Sequence, residues 1–217
     1  MQAILHATLH ADLIAKALDA IEPETTLEKF QEAAGIASGA VAKGVINFLA
    51  SNNIGAIRKN AILFSGSDRL YAAMLALQNG CDIERVSERL SWRDFEKLAS
   101  EALASFGYRT RTNVQLRKPR MEIDVVGASS GFAIAVDCKH WKRSSTSSIA
   151  GFAEKQAARA RHLKERDSTI SQAVPVILTL HSESVRFPGG VPVVPVHKFK
   201  SFVMDVKGFL PEIYVAD

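Results

Sequence analysis

Apolar positions recur along this chain with two different periods, and the change of period divides it. Residues 4 to 21 and 68 to 79 carry apolar side chains at helical spacing. Between them, Thr25-Thr26-Leu27-Glu28 has the pattern of a capping box, a Thr hydroxyl and a Glu carboxylate placed to satisfy the free amides of a helix start, so a helix is expected after Pro23. Leu27, Phe30 and Ala34 keep the helical period, Gly35 breaks it, and Val41, Val45, Phe48 and Leu49 resume it in a second helix. The stretch Ile54 to Phe64 alternates in part, with Arg58-Lys59-Asn60 as a hairpin tip. Two helices with a tight break and a following hairpin predict a winged-helix-like unit, and a helix from Asp82 to Leu90 leads out of it.

From Ser91 the pattern changes. Ser91-Trp92-Arg93-Asp94 is a second helix start, with Leu90 and Phe95 spaced as a hydrophobic staple. Phe95, Leu98, Ala99, Ala102 and Phe106 form one stripe, Glu96 lies at its edge, and Gly107 ends the helix. Three strands are expected next, Tyr108 to Leu116, Met121 to Gly127 and Gly131 to Lys139, punctuated by Asn113 and the turn Arg117-Lys118-Pro119-Arg120. A polar loop from Ser144 to Ser148 precedes a helix whose apolar face runs through Ile149, Phe152, Ala153, Ala160 and Leu163 and is interrupted by Gln156. A buried strand Val174 to Leu180, a Gly-Gly turn, a strand near Val193 to Val196 and a helix from Lys198 complete the chain. The expected architecture is a two-domain α/β (α+β) protein: a helical winged-helix-like domain over 1–89 and an αβββαβ sandwich over 90–217.

Composition narrows the class. Of 217 residues, 47% are hydrophobic and 23% charged, enough to bury a core without staples. No apolar run approaches the roughly 20 residues that span a bilayer, and no basic stretch leads an apolar one at the N-terminus, so a soluble cytoplasmic protein with no membrane association is expected. Cys81 and Cys138 show neither disulfide-framework nor zinc spacing. His6 and His10 lie four apart, a spacing that core or surface histidines share with metal pairs. Net charge is −2 over residues 1–89 and +6 over 90–217, so a polyanion would be gripped chiefly by the second half. In the first half, Lys43 and Asn47 point away from the apolar stripe of the second helix and, with Arg58 and Lys59 of the hairpin, are the candidates for DNA contact. A role for that domain in binding a protein partner stands beside it.

Side chains alternate along a strand, so Asp137 and Lys139 emerge on one face and Asp124 can meet them from the neighbouring strand. Two converging carboxylates repel unless a cation neutralises them, and Mg²⁺ prefers a few carboxylate oxygens plus water. Lys139 beside them can orient or deprotonate a water and stabilise developing negative charge. A plain Asp137–Lys139 salt bridge is the competing reading.

These residues resemble the PD-(D/E)xK nucleases, and within them the Mrr-type restriction enzymes and archaeal Holliday-junction resolvases. The resemblance covers about Trp92 to Phe202 and rests on Phe95-Glu96 with Phe106-Gly107-Tyr108, on Glu122-Ile123-Asp124-Val125-Val126, and on Ala135-Val136-Asp137-Cys138-Lys139. It implies Asp124, Asp137 and Glu96 as ligands of Mg²⁺, with Mn²⁺ substituting, Lys139 as the catalytic lysine and Gln156 as an auxiliary site group. It further implies a homodimer and a metal-dependent DNA endonuclease of repair, recombination or restriction, acting at the nucleoid. Arg117, Lys118, Arg120, Lys142 and Arg143 are the expected DNA contacts of this half, while Lys155, Arg159, Arg161, Lys164 and Arg166 read as solvated faces of one helix. The chain departs from the Mrr-type pattern in having Lys118-Pro119-Arg120 where a glycine pair would precede Asp124, and Asp rather than Gln or Glu as the acid before the lysine. Both departures leave the substrate open. A catalytically silent nuclease fold that binds DNA, or a transcription or repair partner, is the alternative.

Overall fold

The computed structural model describes residues 11–139, 146–180 and 186–217, and the chain divides into two compact units, Met1–Leu90 and Ser91–Asp217. His6, His10 and the first turns of the expected N-terminal helix lie outside the described residues. So do Lys142 and Arg143.

The first unit contains α1 (Ala11–Ala17), continued by a 3-10 turn, then β1 (Glu24–Thr25), α2 (Leu27–Ala33), α3 (Gly39–Ser51), β2 (Ala56–Arg58), β3 (Ala61–Leu63), α4 (Asp68–Gln78) and α5 (Ile83–Ser87). Its sheet runs β1-β3-β2, and the pairing of Arg58 with Ala61 leaves Lys59-Asn60 as the hairpin tip. Both ends of that hairpin are tied to one carboxylate: Asp68 Oδ2 accepts from the Gly55 amide at 3.0 Å and the Ser65 amide at 2.8 Å. Phe30, Leu18, Leu49 and Leu70 are fully buried beneath. Two expectations are corrected. Thr25 belongs to β1 and Thr26 is the cap, its hydroxyl accepting from the Lys29 amide, so Glu28 falls one position short of the capping-box partner. The helix expected from Asp82 to Leu90 is only the five-residue α5.

The second unit follows the order α6 (Trp92–Ser105), β4 (Arg109–Leu116), β5 (Met121–Ser129), β6 (Phe132–Lys139), α7 (Thr146–Arg166), β7 (Gln172–Thr179), β8 (Val193–Pro195) and α8 (Val196–Phe209). The sheet order is β4-β5-β6-β7-β8, antiparallel through β6 and parallel thereafter. This is the αβββαβ plan with a short edge strand and a closing helix added. At the start of α6 the capping box forms as its sequence indicates, the Ser91 amide donating to Asp94 Oδ2 at 2.7 Å. Helix α7 begins at Thr146, so Thr146 to Ser148 are helical rather than loop.

Residues on β5 and β6 alternate between two helical layers. Val126, Ala133 and Ala135 cluster with Ala160 and Leu163 of α7. On the other face Gly127 meets α6: a Cβ there would stand 3.0–3.2 Å from side-chain atoms of Leu103. Pro175 lies inside β7, where a proline would normally cost a ladder hydrogen bond. The amides of Ala173 and Ile177, on the same strand edge, bond to Ala216 and Pro192, and β8 reaches only as far as Ile177. Pro175 therefore occupies a stretch of that edge with no strand beside it, and its missing N–H breaks no ladder. Among the described residues no helix is long and apolar enough to cross a membrane.

Gly127→Val is expected to destabilise the second unit by about 1–3 kcal/mol, because Leu103 is fully buried and must be displaced. Gly44→Ala, in α3 with open space around it, is expected to stabilise by about 0.4–1 kcal/mol. Denaturant melts of the two variants against the native chain check both signs.

Candidate active site

The geometry of the acidic pair comes from a turn. Strands β5 and β6 are joined by Ser130-Gly131, both with positive φ (50° and 81°), the backbone of a tight two-residue hairpin. This fixes the register that pairs Val125 with Val136. The backbone pairing of β5 with β6 ends there, just before Asp124 and Asp137, which lie close enough for the charge of Asp137 to act on Asp124. The strands close there through a side chain, Asp124 Oδ2 accepting from the Cys138 amide at 2.6 Å.

Asp137 is the centre of the cluster. Its side chain is 3% exposed, against 25% for each of its two cationic partners. Lys139 Nζ donates to Asp137 Oδ1 at 3.1 Å and lies 2.9 Å from Oδ2, the latter an ion-pair contact without hydrogen-bond alignment, so Oδ2 has no hydrogen-bond donor among the described residues. The ammonium also sits 5.4 Å from the centre of the Phe152 ring. The second cation is Arg159, whose Nη1 donates to Asp137 Oδ1 at 3.0 Å and to Gln156 Oε1 at 3.1 Å. Gln156 is fully buried, and its Nε2 donates to the Ala135 carbonyl at 2.8 Å. Gln156 is thus bonded to nearby backbone and linked to Asp137 only through Arg159. Arg159 itself is a correction: it faces Asp137 instead of lying on a solvated surface. No local sequence pattern marks it, because the contact joins residues 22 apart on a helix and a strand.

Glu96 approaches from α6, on the sheet face away from α7. It is buried to 6% exposure, and its Oε1 has no hydrogen-bond partner among the described residues. Burial, then the charges of Asp124 and Glu122, push its carboxyl up to about 7, with Arg93 opposing. Burial also raises Asp124, partly offset by the Cys138 amide. The Cys138 thiol is driven well above its ordinary range by burial and by the carboxylates around it, so it is inert as a nucleophile. A cavity of about 440 Å³ beside Glu96 is lined also by Trp92, Arg93, Lys97, Ser100 and Asn113.

The donor set fits a hard cation. A buried carboxylate oxygen without a partner and two aspartates on adjoining strands, one of them raised by burial, are what a divalent ion would relieve. Among the described residues no three acidic, His or Cys side chains gather closely enough to enclose an ion, so the pair Asp124 and Asp137, with Glu96 behind, would share it with water, as Mg²⁺ commonly requires.

The basic candidates fall in two places. Arg117, Lys118 and Arg120 are exposed on the turn leading into β5, at the sheet end that carries Asp124. Helix α7 holds that turn, with His162 Nε2 3.1 Å from the Arg117 carbonyl and Arg166 Nη2 donating to the Lys118 carbonyl at 2.9 Å. In the first unit, exposed Lys43, Asn47 and Lys59 converge on a cavity of about 580 Å³ that Ile57 also lines, and Arg58 is exposed on β2.

Because Glu96 is raised, its neutral form is favoured by folding. That stability is complete below its ordinary value of 4.5 and is lost as pH rises through about 7. In chelator, the thermal midpoint is therefore expected to fall between those limits, and Glu96→Gln to flatten the fall. A Glu96→Gln profile parallel to the native one would refute this.

Residues 87–162 match the Mrr_cat family, described as a restriction endonuclease. An uncharacterized protein of Archaeoglobus fulgidus is 27% identical over 127 residues, which is 57% of this chain and 97% of that protein. Among solved structures, protein VC1899 from Vibrio cholerae superposes with a TM-score of 0.41 and 13% identity, covering 94% of this chain and 52% of that one. Restriction endonuclease FokI does so with 0.40 and 14%, covering 94% and 45%. The chain spans about half the length of these two structures. Residues 87–162, which carry α6, β4 to β6 and the first part of α7, are thus similar to restriction endonucleases, and the αβββαβ order of the second unit is consistent with the PD-(D/E)xK nuclease fold.

Proposed function

We propose that this protein is a divalent-metal-dependent DNA endonuclease. The observation that carries the reading is the gathering of Asp124, Asp137 and Lys139 where β5 and β6 stop pairing, with Asp124 bonded to the Cys138 amide and Lys139 ion-paired to Asp137 and set against Phe152. When bound, Mg²⁺ supplies Lewis acidity and neutralises charge on the phosphate. Asp124 and Asp137 would hold it, with Glu96 as an outer ligand. Lys139, fixed between a carboxylate and an aromatic face, orients the attacking water and stabilises the charge that develops on phosphorus oxygens. Arg117, Lys118 and Arg120 grip the backbone of the substrate near the cut. The first unit acts as a winged-helix-like module, with Lys43, Asn47, Arg58 and Lys59 on its DNA side.

A second reading has one observation in its favour. Asp137 is already neutralised by two cations, as a purely structural carboxylate would be. On that reading the fold binds DNA, or a partner on DNA, without cutting.

End-labelled duplex, single-stranded and four-way-junction DNA in Mg²⁺ or Mn²⁺ separate the two. Cutting is expected to require the metal and to fall on the order of a hundredfold or more in Asp137→Ala and in Lys139→Ala. DNA binding with no cutting under any metal moves the protein to the second reading. For the first unit, Lys43→Ala and Lys59→Ala are each expected to lower the slope of log affinity against log salt by about one. Slopes equal to the native one would show that this unit does not hold phosphate through those lysines.

A further inference from the structure

Arg159 reaches the site by a route that no part of the acid, acid and lysine pattern explains. Helix α7 brings it to the one carboxylate that Lys139 already neutralises, and both cations donate to the same oxygen, Oδ1. Gln156 is built around it. Its buried amide is used at both ends, Nε2 on the Ala135 carbonyl and Oε1 on the Arg159 guanidinium. The orientation of that amide follows from its neighbours, since a carbonyl needs a donor and a guanidinium needs an acceptor. A buried glutamine whose acceptor is aimed at an arginine holds that arginine in place. At 25% exposure the Arg159 side chain is accessible from solvent, and its planar fork matches phosphate oxygens as well as carboxylate.

We infer that Arg159 is a phosphate-binding residue of the site that occupies Asp137 in the metal-free protein and competes with the divalent cation for that carboxylate, with Gln156 as its positioning residue. The inference rests on the nuclease reading. Asp137 has too little open surface to serve two monovalent cations and a divalent one together, and like charges repel at such distances. Lys139 is the partner that stays, adjacent on the same strand and set against the Phe152 ring. Arg159 comes from another element and keeps Gln156 when it leaves Asp137. It is then beside the place where an anionic phosphate must approach, so the displaced charge is reused on the substrate.

The test measures Mn²⁺ affinity by calorimetry and affinity for a labelled DNA duplex in Ca²⁺, which replaces the cutting metal. Arg159→Ala is expected to bind Mn²⁺ about tenfold more tightly, the competitor having been removed, and DNA several-fold more weakly. Gln156→Ala is expected to move both quantities the same way by less. Arg161→Ala, on the same helix, controls for general loss of positive charge and should change neither by more than about twofold. If Arg159→Ala leaves the buried Asp137 too poorly compensated to fold, Arg159→Gln, which can still donate to the carboxylate, carries the same two expectations. Native Mn²⁺ affinity in a folded Arg159 variant overturns the competition, and native DNA affinity overturns the phosphate role. Either result with native protein that binds metal and DNA normally removes this inference alone. Native protein that binds neither Mn²⁺ nor DNA removes the nuclease reading and this inference with it.

Discussion

Asp137 carries a carboxylate almost sealed from water, and a buried anion costs several kcal/mol unless charge and hydrogen bonds compensate it. Much of the second unit is arranged around that requirement. Helix α7 delivers Arg159 and, behind it, a glutamine with no exposed surface. Strand β6 delivers Lys139 two residues on, and Phe152 lies against the ammonium. Removing one cation would leave the buried carboxylate to the other alone, so the two act on one group and contributions measured one residue at a time will not add.

The opposite face of the sheet poses a different electrostatic problem. Glu96, on α6, is buried with one oxygen unpartnered among the described residues, and folding favours its neutral form. The sheet therefore separates a compensated carboxylate from an uncompensated one, with Asp124 sensed by both. On the nuclease reading proposed above, such an imbalance would favour a cation, since an ion that relieved Glu96 and Asp124 would stabilise the fold as it bound.

What the sequence reveals is what short-range geometry encodes. Asp137 and Lys139 share a face because they are two apart on a strand, and Ser91 with Asp94 caps α6 because the partner lies three positions after the cap. The succession of strands along the chain followed from period and punctuation, while their order in the sheet did not. The approach of Asp124 to Asp137 was legible as a meeting of neighbouring strands, but the register that brings them close needed the turn geometry. Arg159 was not legible at all. Its period marks it as one more basic residue on a solvated helix, and only the crossing of α7 over β6 turns it inward. The serine- and threonine-rich start of α7 read as loop for a similar reason: such residues favour helix starts and turns alike, and the local pattern does not choose.

The Ser130-Gly131 turn carries no chemistry and lies five residue pairs from the acidic pair, about 17 Å along the sheet. Yet both of its residues adopt the left-handed backbone that makes the hairpin tight, and the alignment of the two aspartates descends from it. A single residue inserted there would slide one strand past the other and exchange inward for outward side chains along its length. The site is thus more vulnerable at that remote corner than its distance suggests. A lesion at the loop would look in an assay like the loss of a catalytic group, while every group remained in the chain.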